Sequence, residues 1–385
     1  MRAPAMDDAP AYPAARAAAA PIEAVFARHY QSAVARGDSD LAPPPDAATI
    51  EVLVETAFWA SLRREEGYTP RISLALLPPE RARMGLAFAR PLPLEPGALA
   101  RLAPAVEQPG MHLGVWPAAG RFEVWGATRV IPSFCLVLEV VRPGLLVVKH
   151  RRTQAFAKFG NVAVLEGDRI RLVDEQSASL PDCPGLLTWL LGFDAPAAWG
   201  DSVNALVQLA AGMRAHGRGG SLLIVPAGSD AWRESVVTPM PYAIAPPYSR
   251  LADLMRAAPP DDARPAWQDA VRRAIESVAG LTAVDGAAIL TDRFELHGFG
   301  AKIQPRAGHA PVEQVVLTEP VVGDVAVTVH PVEIGGTRHL SAAQFVHDQH
   351  EALALVASQD GRFTLFAWSP CDEVVHAHRV EVLLL

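Results

Sequence analysis

Two short stretches carry residue types suited to phosphate chemistry. Gly335-Gly336-Thr337-Arg338-His339-Leu340-Ser341-Ala342 ends an apolar, extended run on two glycines and then opens a helix. Thr337 is expected to cap that helix, because its oxygen can accept a first-turn N–H. A helix start presents free N–H groups and the positive end of the dipole. Here a guanidinium, an imidazole and the hydroxyls of Thr337 and Ser341 join them, a combination made for phosphate. Upstream, Val284-Asp285-Gly286-Ala287-Ala288-Ile289-Leu290 sets a carboxylate just before an apolar strand.

Each stretch also has a plainer reading. An Asp before Gly is a common turn, and Arg338-His339 could be a solvated helix start. Other clusters read as structural. His347 and His350 flank Asp348 on a helix, but no third metal ligand accompanies them, so a solvated face is expected. Cys371, His376 and His378 suggest metal, yet the histidines fit alternate positions on the polar side of a strand. His216-Gly217-Arg218-Gly219-Gly220 precedes its strand, whereas a dinucleotide fingerprint follows one. Gly298-Phe299-Gly300-Ala301-Lys302 lacks Walker A spacing. Lys149 to Arg152 is a basic run at a strand end: a solvated edge, or a ligand-facing patch.

The elements that must position these residues follow from periodicity. Residues 21–36 and 47–66 read as helices, the second with Ile50, Leu53, Val54, Ala57, Phe58, Ser61 and Leu62 on one face, Asp46 as N-cap and Gly67 as stop. The period then changes to two. Strands are expected at 71–77, 121–125, 135–141, 145–150, 161–165 and 169–173, with Arg142-Pro143-Gly144 as a tight turn. This half is α+β. The proline-bearing stretch 176–198 reads as a joint, with Leu186 to Phe193 apolar enough to pack.

Beyond it helix and strand alternate. Helices are expected at 202–216, 250–257, 265–279 and 338–350. Strands are expected at 221–225, 283–290, 313–318, 325–330, 352–358, 362–368 and 373–384, with Asp360-Gly361 turning a hairpin. This half is α/β, a mixed sheet flanked by helices.

Composition narrows the function classes. A chain of 385 residues allows about two domains of ordinary size. A net charge of −8, with no dense basic face, argues against nucleic acid. Three cysteines, far apart, make no disulfide framework, and a reduced cytoplasmic setting fits. Residues 1–20 read as a disordered leader, and no apolar run is long enough for a membrane span.

The two motifs in this order resemble the diadenylate cyclase (DAC) domain. The flanks fit: the helix before Gly220-Ser221-Leu222-Leu223-Ile224-Val225 resembles that family's opening helix and strand, and Ala352 to Gly361 its closing strand and turn. The resemblance covers about 200–385. The first half, residues 21–175, looks like the sensor domain DACNV that precedes such cyclases, on texture that includes Leu145 to Arg152.

The resemblance implies joining two ATP into cyclic di-AMP with release of two pyrophosphates, in a homodimer or higher homo-oligomer whose subunits face each other. Asp285 would hold Mg²⁺ or Mn²⁺. Gly286 and Ala287 would lie close to base and ribose, Gly298 and Gly300 would belong to an adenine pocket, and Thr337, Arg338, His339 and Ser341 would grip phosphates. The sensor would answer an unidentified ligand. Two positions depart from the pattern: Leu340 stands where the family has a second arginine, and Gln359 where it has an acid. A nucleotide-binding domain without turnover, and a structural or interaction protein, are the other two expectations.

Overall fold

A computed structural model describes residues 11–83, 85–108, 110–151, 159–174, 200–257, 259 and 263–385. The expected joint at 176–198 lies outside the described residues. The chain divides into two compact units, Met1–Asp174 with Leu385, and Glu175–Leu384.

The first unit is an eight-stranded sheet with helices on one face. Its helices are α1 (Pro13–Ala35), α2 (Ala47–Ser61) and α3 (Pro96–Leu102). Its strands are β1 (Ile72–Leu76), β2 (Leu86–Pro93), β3 (His112–Ala118), β4 (Arg121–Thr128), β5 (Leu136–Arg142), β6 (Leu145–Arg151), β7 (Phe159–Glu166) and β8 (Arg169–Leu172), in the order β2-β4-β3-β1-β5-β6-β7-β8. Among these described strands, only β1 and β3 pair in parallel.

Helix α1 corrects the expectation of a leader through residue 20. Ala14, Ala15, Ala18, Ala19 and Ile22 are buried at helical spacing against the sheet. Asp46 caps α2 as expected, its Oδ1 accepting the Thr49 N–H at 2.7 Å. That helix ends at Ser61, before Gly67. The basic run at 149–152 is no solvated edge at Lys149, which is buried, with Nζ 2.5 Å from Glu139 Oε2.

The second unit is a nine-stranded mixed sheet between helices. Helices α4 (Gly200–Ala215), α5 (Arg250–Arg256), α6 (Arg264–Leu281), α7 (Pro331–Ile334) and α8 (Thr337–Asp348) accompany β9 (Gly220–Val225), β10 (Tyr242–Tyr248), β11 (Ala287–Thr291), β12 (Leu296–Ala301), β13 (Val315–Thr318), β14 (Val327–Val329), β15 (Leu353–Ala357), β16 (Phe363–Ser369) and β17 (Val374–Arg379). The strand order is β10-β12-β11-β9-β15-β16-β17-β13-β14.

β9 and β11 are parallel neighbours at the centre, with Ser221 opposite Ala287. Both are apolar without alternation because both faces are covered. Leu222, Ile224, Ala288 and Leu290 join a core with Leu209, Met213, Ile275 and Val278 of α4 and α6. Leu223, Val225, Ala287 and Ile289 point the other way, into a core with Ala343, Phe345 and Val346 of α8. Phe345 is fully buried there; cutting it to alanine costs about 3–5 kcal/mol by analogy with other large core aromatics.

The histidines expected on a polar strand face are interior. His376 and His378 on β17 are 1% and 0% exposed. Nδ1 of His378 lies 2.7 Å from Thr318 Oγ1, and Nε2 of His376 lies 2.9 Å from Asp372 Oδ2. β13 pairs with β17, which is therefore covered on its flank as well as its faces.

Candidate functional site

One edge of the nine-stranded sheet gathers the termini that matter. β9 begins there at Gly220, opposite Ala357, where β15 ends. β11 begins there at Ala287, opposite Ala301, where β12 ends. Asp285 stands two residues before β11 and Lys302 one residue after β12. Their register brings Lys302 Nζ to 2.6 Å from Asp285 Oδ2. The Lys302 hydrogen bond and charge, with a smaller contribution from Arg338, hold the Asp285 carboxyl below the usual carboxylate range. Asp285 is 85% exposed, so this carboxylate faces solvent.

Gly286 lets the two strands meet. Its φ is +106°, and a Cβ there would lie 2.5 Å from the Gly300 carbonyl carbon. Backbone is packed on backbone, and no side chain fits. Gly300 has φ +70°, and a Cβ on it would lie 2.7 Å from the Tyr242 ring. Gly298 is likewise covered, by Met240 and the Tyr242 carbonyl. The free sides of the two glycines expected in an adenine pocket are thus occupied by Met240 and β10. What the site offers beside them is the half-exposed Tyr242 ring, stacked on Phe299 at 4.8 Å between centroids.

Helix α8 starts at the same edge. Its N-cap is Gly336, not Thr337, which is exposed in the first turn and caps nothing. The Arg338 guanidinium lies over Gly219, with Nη1 3.0 Å from where a Cβ on that glycine would sit, and Gln359 flanks the same point. Among the described residues Arg338 makes no hydrogen bond or ion pair, and its Nε is buried without a partner. A partly buried, unpaired cation is costly unless something anionic joins it. Ser341 is half-buried on the same helix.

His339 is turned inward, away from a phosphate-gripping position. It is 4% exposed, its ring packs on Gly335 and edge-on to Phe366, and Nε2 lies 3.4 Å from Thr364 Oγ1. Burial pushes its pKa down to about 4, so the ring is neutral at pH 7. Leu340 packs half-buried against the α8 core.

The structure therefore brings together Asp285, Gly286, Gly300 and Arg338, and adds Lys302, Gly219 and Tyr242, which sequence reasoning passed over. Lys302 was visible only as a lysine after a glycine-rich strand. Tyr242 follows Pro239-Met240-Pro241, a stretch for which no element was expected; β10 is an edge strand, the place in a sheet that tolerates proline.

One carboxylate does not make a metal site from protein alone, and no group of three or more His, Cys, Asp or Glu converges among the described residues. Asp285 fits a Mg²⁺ or Mn²⁺ that takes its other ligands from phosphates and water. The Lys302 ammonium would have to yield to it.

Residues 39–129 match the family model described as probable sensor domain DACNV. The match lies wholly in the first unit, over α2, α3 and β1 to β4, and stops short of the 145–152 stretch. No match was found among curated proteins. No helix among the described residues is long and apolar enough to cross a membrane.

Proposed function

We propose that the second unit is a diadenylate cyclase domain controlled by the DACNV sensor domain of the first. The observation that supports this most is the convergence of an exposed carboxylate, Asp285, with the unpaired Arg338 guanidinium at a helix start, on the sheet edge where β9 and β11 begin. The sensor match adds support, since DACNV domains accompany such cyclases.

In this reading the 3′-oxygen of one ATP attacks the α-phosphorus of the other. The new P–O bond forms as the bond to pyrophosphate breaks, and the hydroxyl proton passes to solvent. The same step in the opposite direction closes the ring, so two copies of the chain face each other. Phosphoryl transfer of this kind is carried by positioning and charge. Arg338 and the first-turn N–H groups of α8 hold phosphate oxygens. A divalent cation at Asp285 would supply further charge neutralisation. Lys302 is a second cation on this sheet edge, at Asp285 and not on the first turn of α8, where Leu340 packs inward.

A second reading, nucleotide binding without turnover, is favoured by the Lys302–Asp285 pair, which engages the one carboxylate. The test is to incubate the full chain with ATP and Mn²⁺ and identify products by mass spectrometry, alongside Asp285→Asn. Cyclic di-AMP from the native chain and none from the variant is the expected result. Bound ATP without product assigns the domain to the second reading. Neither binding nor product rejects both.

A further inference from the structure

We propose that the second unit carries another ligand site, for a small oxyanion, at the sheet edge opposite Asp285. A cleft of about 270 Å³ opens where β9 ends at Val225 and α8 ends at Asp348, walled by Trp232, Arg306, His309 and His350. Its place is at the carboxyl end of the parallel strand β9, the edge where open α/β sheets receive ligands. The inference does not depend on the nucleotide reading, because it shares no residue with that site.

The polar groups of the wall divide into those already satisfied and those left over. The Asp348 carboxylate is fully buried and spent within the protein. Oδ2 accepts the Arg306 N–H at 2.9 Å and Gln344 Nε2 at 3.0 Å, and Oδ1 faces Nδ1 of both His309 and His347 at 3.3 Å. The Gln349 amide donates to the Ala231 carbonyl and to Ser235 Oγ. Two donors remain. The Trp232 indole N–H is buried without a hydrogen-bond partner in a residue 3% exposed. Arg306 is anchored through Nε to Glu234 Oε2 at 2.6 Å, which leaves its two Nη groups unbonded among the described residues.

A buried N–H without an acceptor is costly, so a ligand that brings acceptors is favoured. The guanidinium fork matches the two oxygens of a carboxylate or phosphate. The His350 ring, stacked flat on Trp368 at 3.7 Å, gives the cleft a wall for an apolar body. Glu351 is the lining carboxylate left exposed, on the rim where solvent screens its charge. The volume lies below that of pockets for drug-sized ligands, which points to a small carboxylate or phosphate monoester.

The test uses the full chain carrying Arg338→Gln, so that the other sheet edge does not compete. Titration calorimetry with inorganic phosphate and with succinate should show saturable binding at one site. Trp232→Phe, which keeps the ring and removes the donor, and Arg306→Gln should each weaken it at least tenfold at unchanged melting temperature. Binding of phosphate alone or succinate alone tells which oxyanion class is taken. No saturable binding of either probe, or unchanged affinity in either variant, overturns the proposal.

Discussion

Lys302 closes on Asp285 across the edge where β12 ends and β11 begins, 2.6 Å between Nζ and Oδ2, and so places the chain's own cation on the carboxylate proposed to hold a metal. The two groups are exposed and close only because Ala287 and Ala301 are paired in the sheet.

Removing that cation separates its two effects. Lys302→Ala should leave the melting temperature almost unchanged, since exposed pairs contribute little. Without divalent metal, ATP affinity should fall about tenfold, as expected for one charge-assisted bond. With Mn²⁺ present the loss should shrink, because Asp285 is freed. Equal losses with and without Mn²⁺ would show that lysine and metal do not compete.

Arg338→Gln should weaken ATP binding by about tenfold to a hundredfold. Among the described residues the guanidinium has no hydrogen bond or ion pair to lose, so stability should hold or rise. Calorimetry and a thermal melt on the same sample check this. A large drop in melting temperature with unchanged ATP affinity would make Arg338 a structural residue.

Gly286→Ala should destabilise the second unit by about 1–3 kcal/mol through its positive φ and the Gly300 contact. The shift should also part the strand ends and break the Lys302–Asp285 pair. NMR titration would then find the Asp285 carboxyl back near the ordinary range. An unperturbed carboxyl shift pattern would count against this coupling.

Acid should loosen the second unit through its buried histidines. Burial pushes His339 to about 4 and His378 to about 3, both below the ordinary 6.5. The unfolded chain therefore binds more protons between pH 6.5 and these values. Stability is fully present above pH 6.5 and is lost as pH falls towards 4, by about 2 kcal/mol per histidine at pH 5. Melts at pH 7 and pH 5 measure the loss. His339→Gln, which cannot titrate, should reduce it; an unchanged pH dependence would show that His339 titrates normally.

The sequence by itself determined what depends on neighbours along the chain. The Asp46 cap, the turn at Arg142-Pro143-Gly144, the hairpin at Asp360-Gly361 and the apolar runs of β9, β11 and β15 are local, and each was legible in residue type and period. Other features were decided by which distant element covers a surface. β2 and β10 carry prolines and drew no strand expectation, yet each completes an outer edge of a sheet, where missing donors cost nothing in the ladder. His376 and His378 alternate like a solvated strand face until flanking structure buries them. His339 sits in a helix start that looks exposed, and tertiary packing turns its ring onto Gly335. Asp285 was recognisable from its motif, but its partner Lys302 was not. Periodicity reports the faces of one element, whereas the meeting of two charges seventeen positions apart depends on strand register, which the fold as a whole sets.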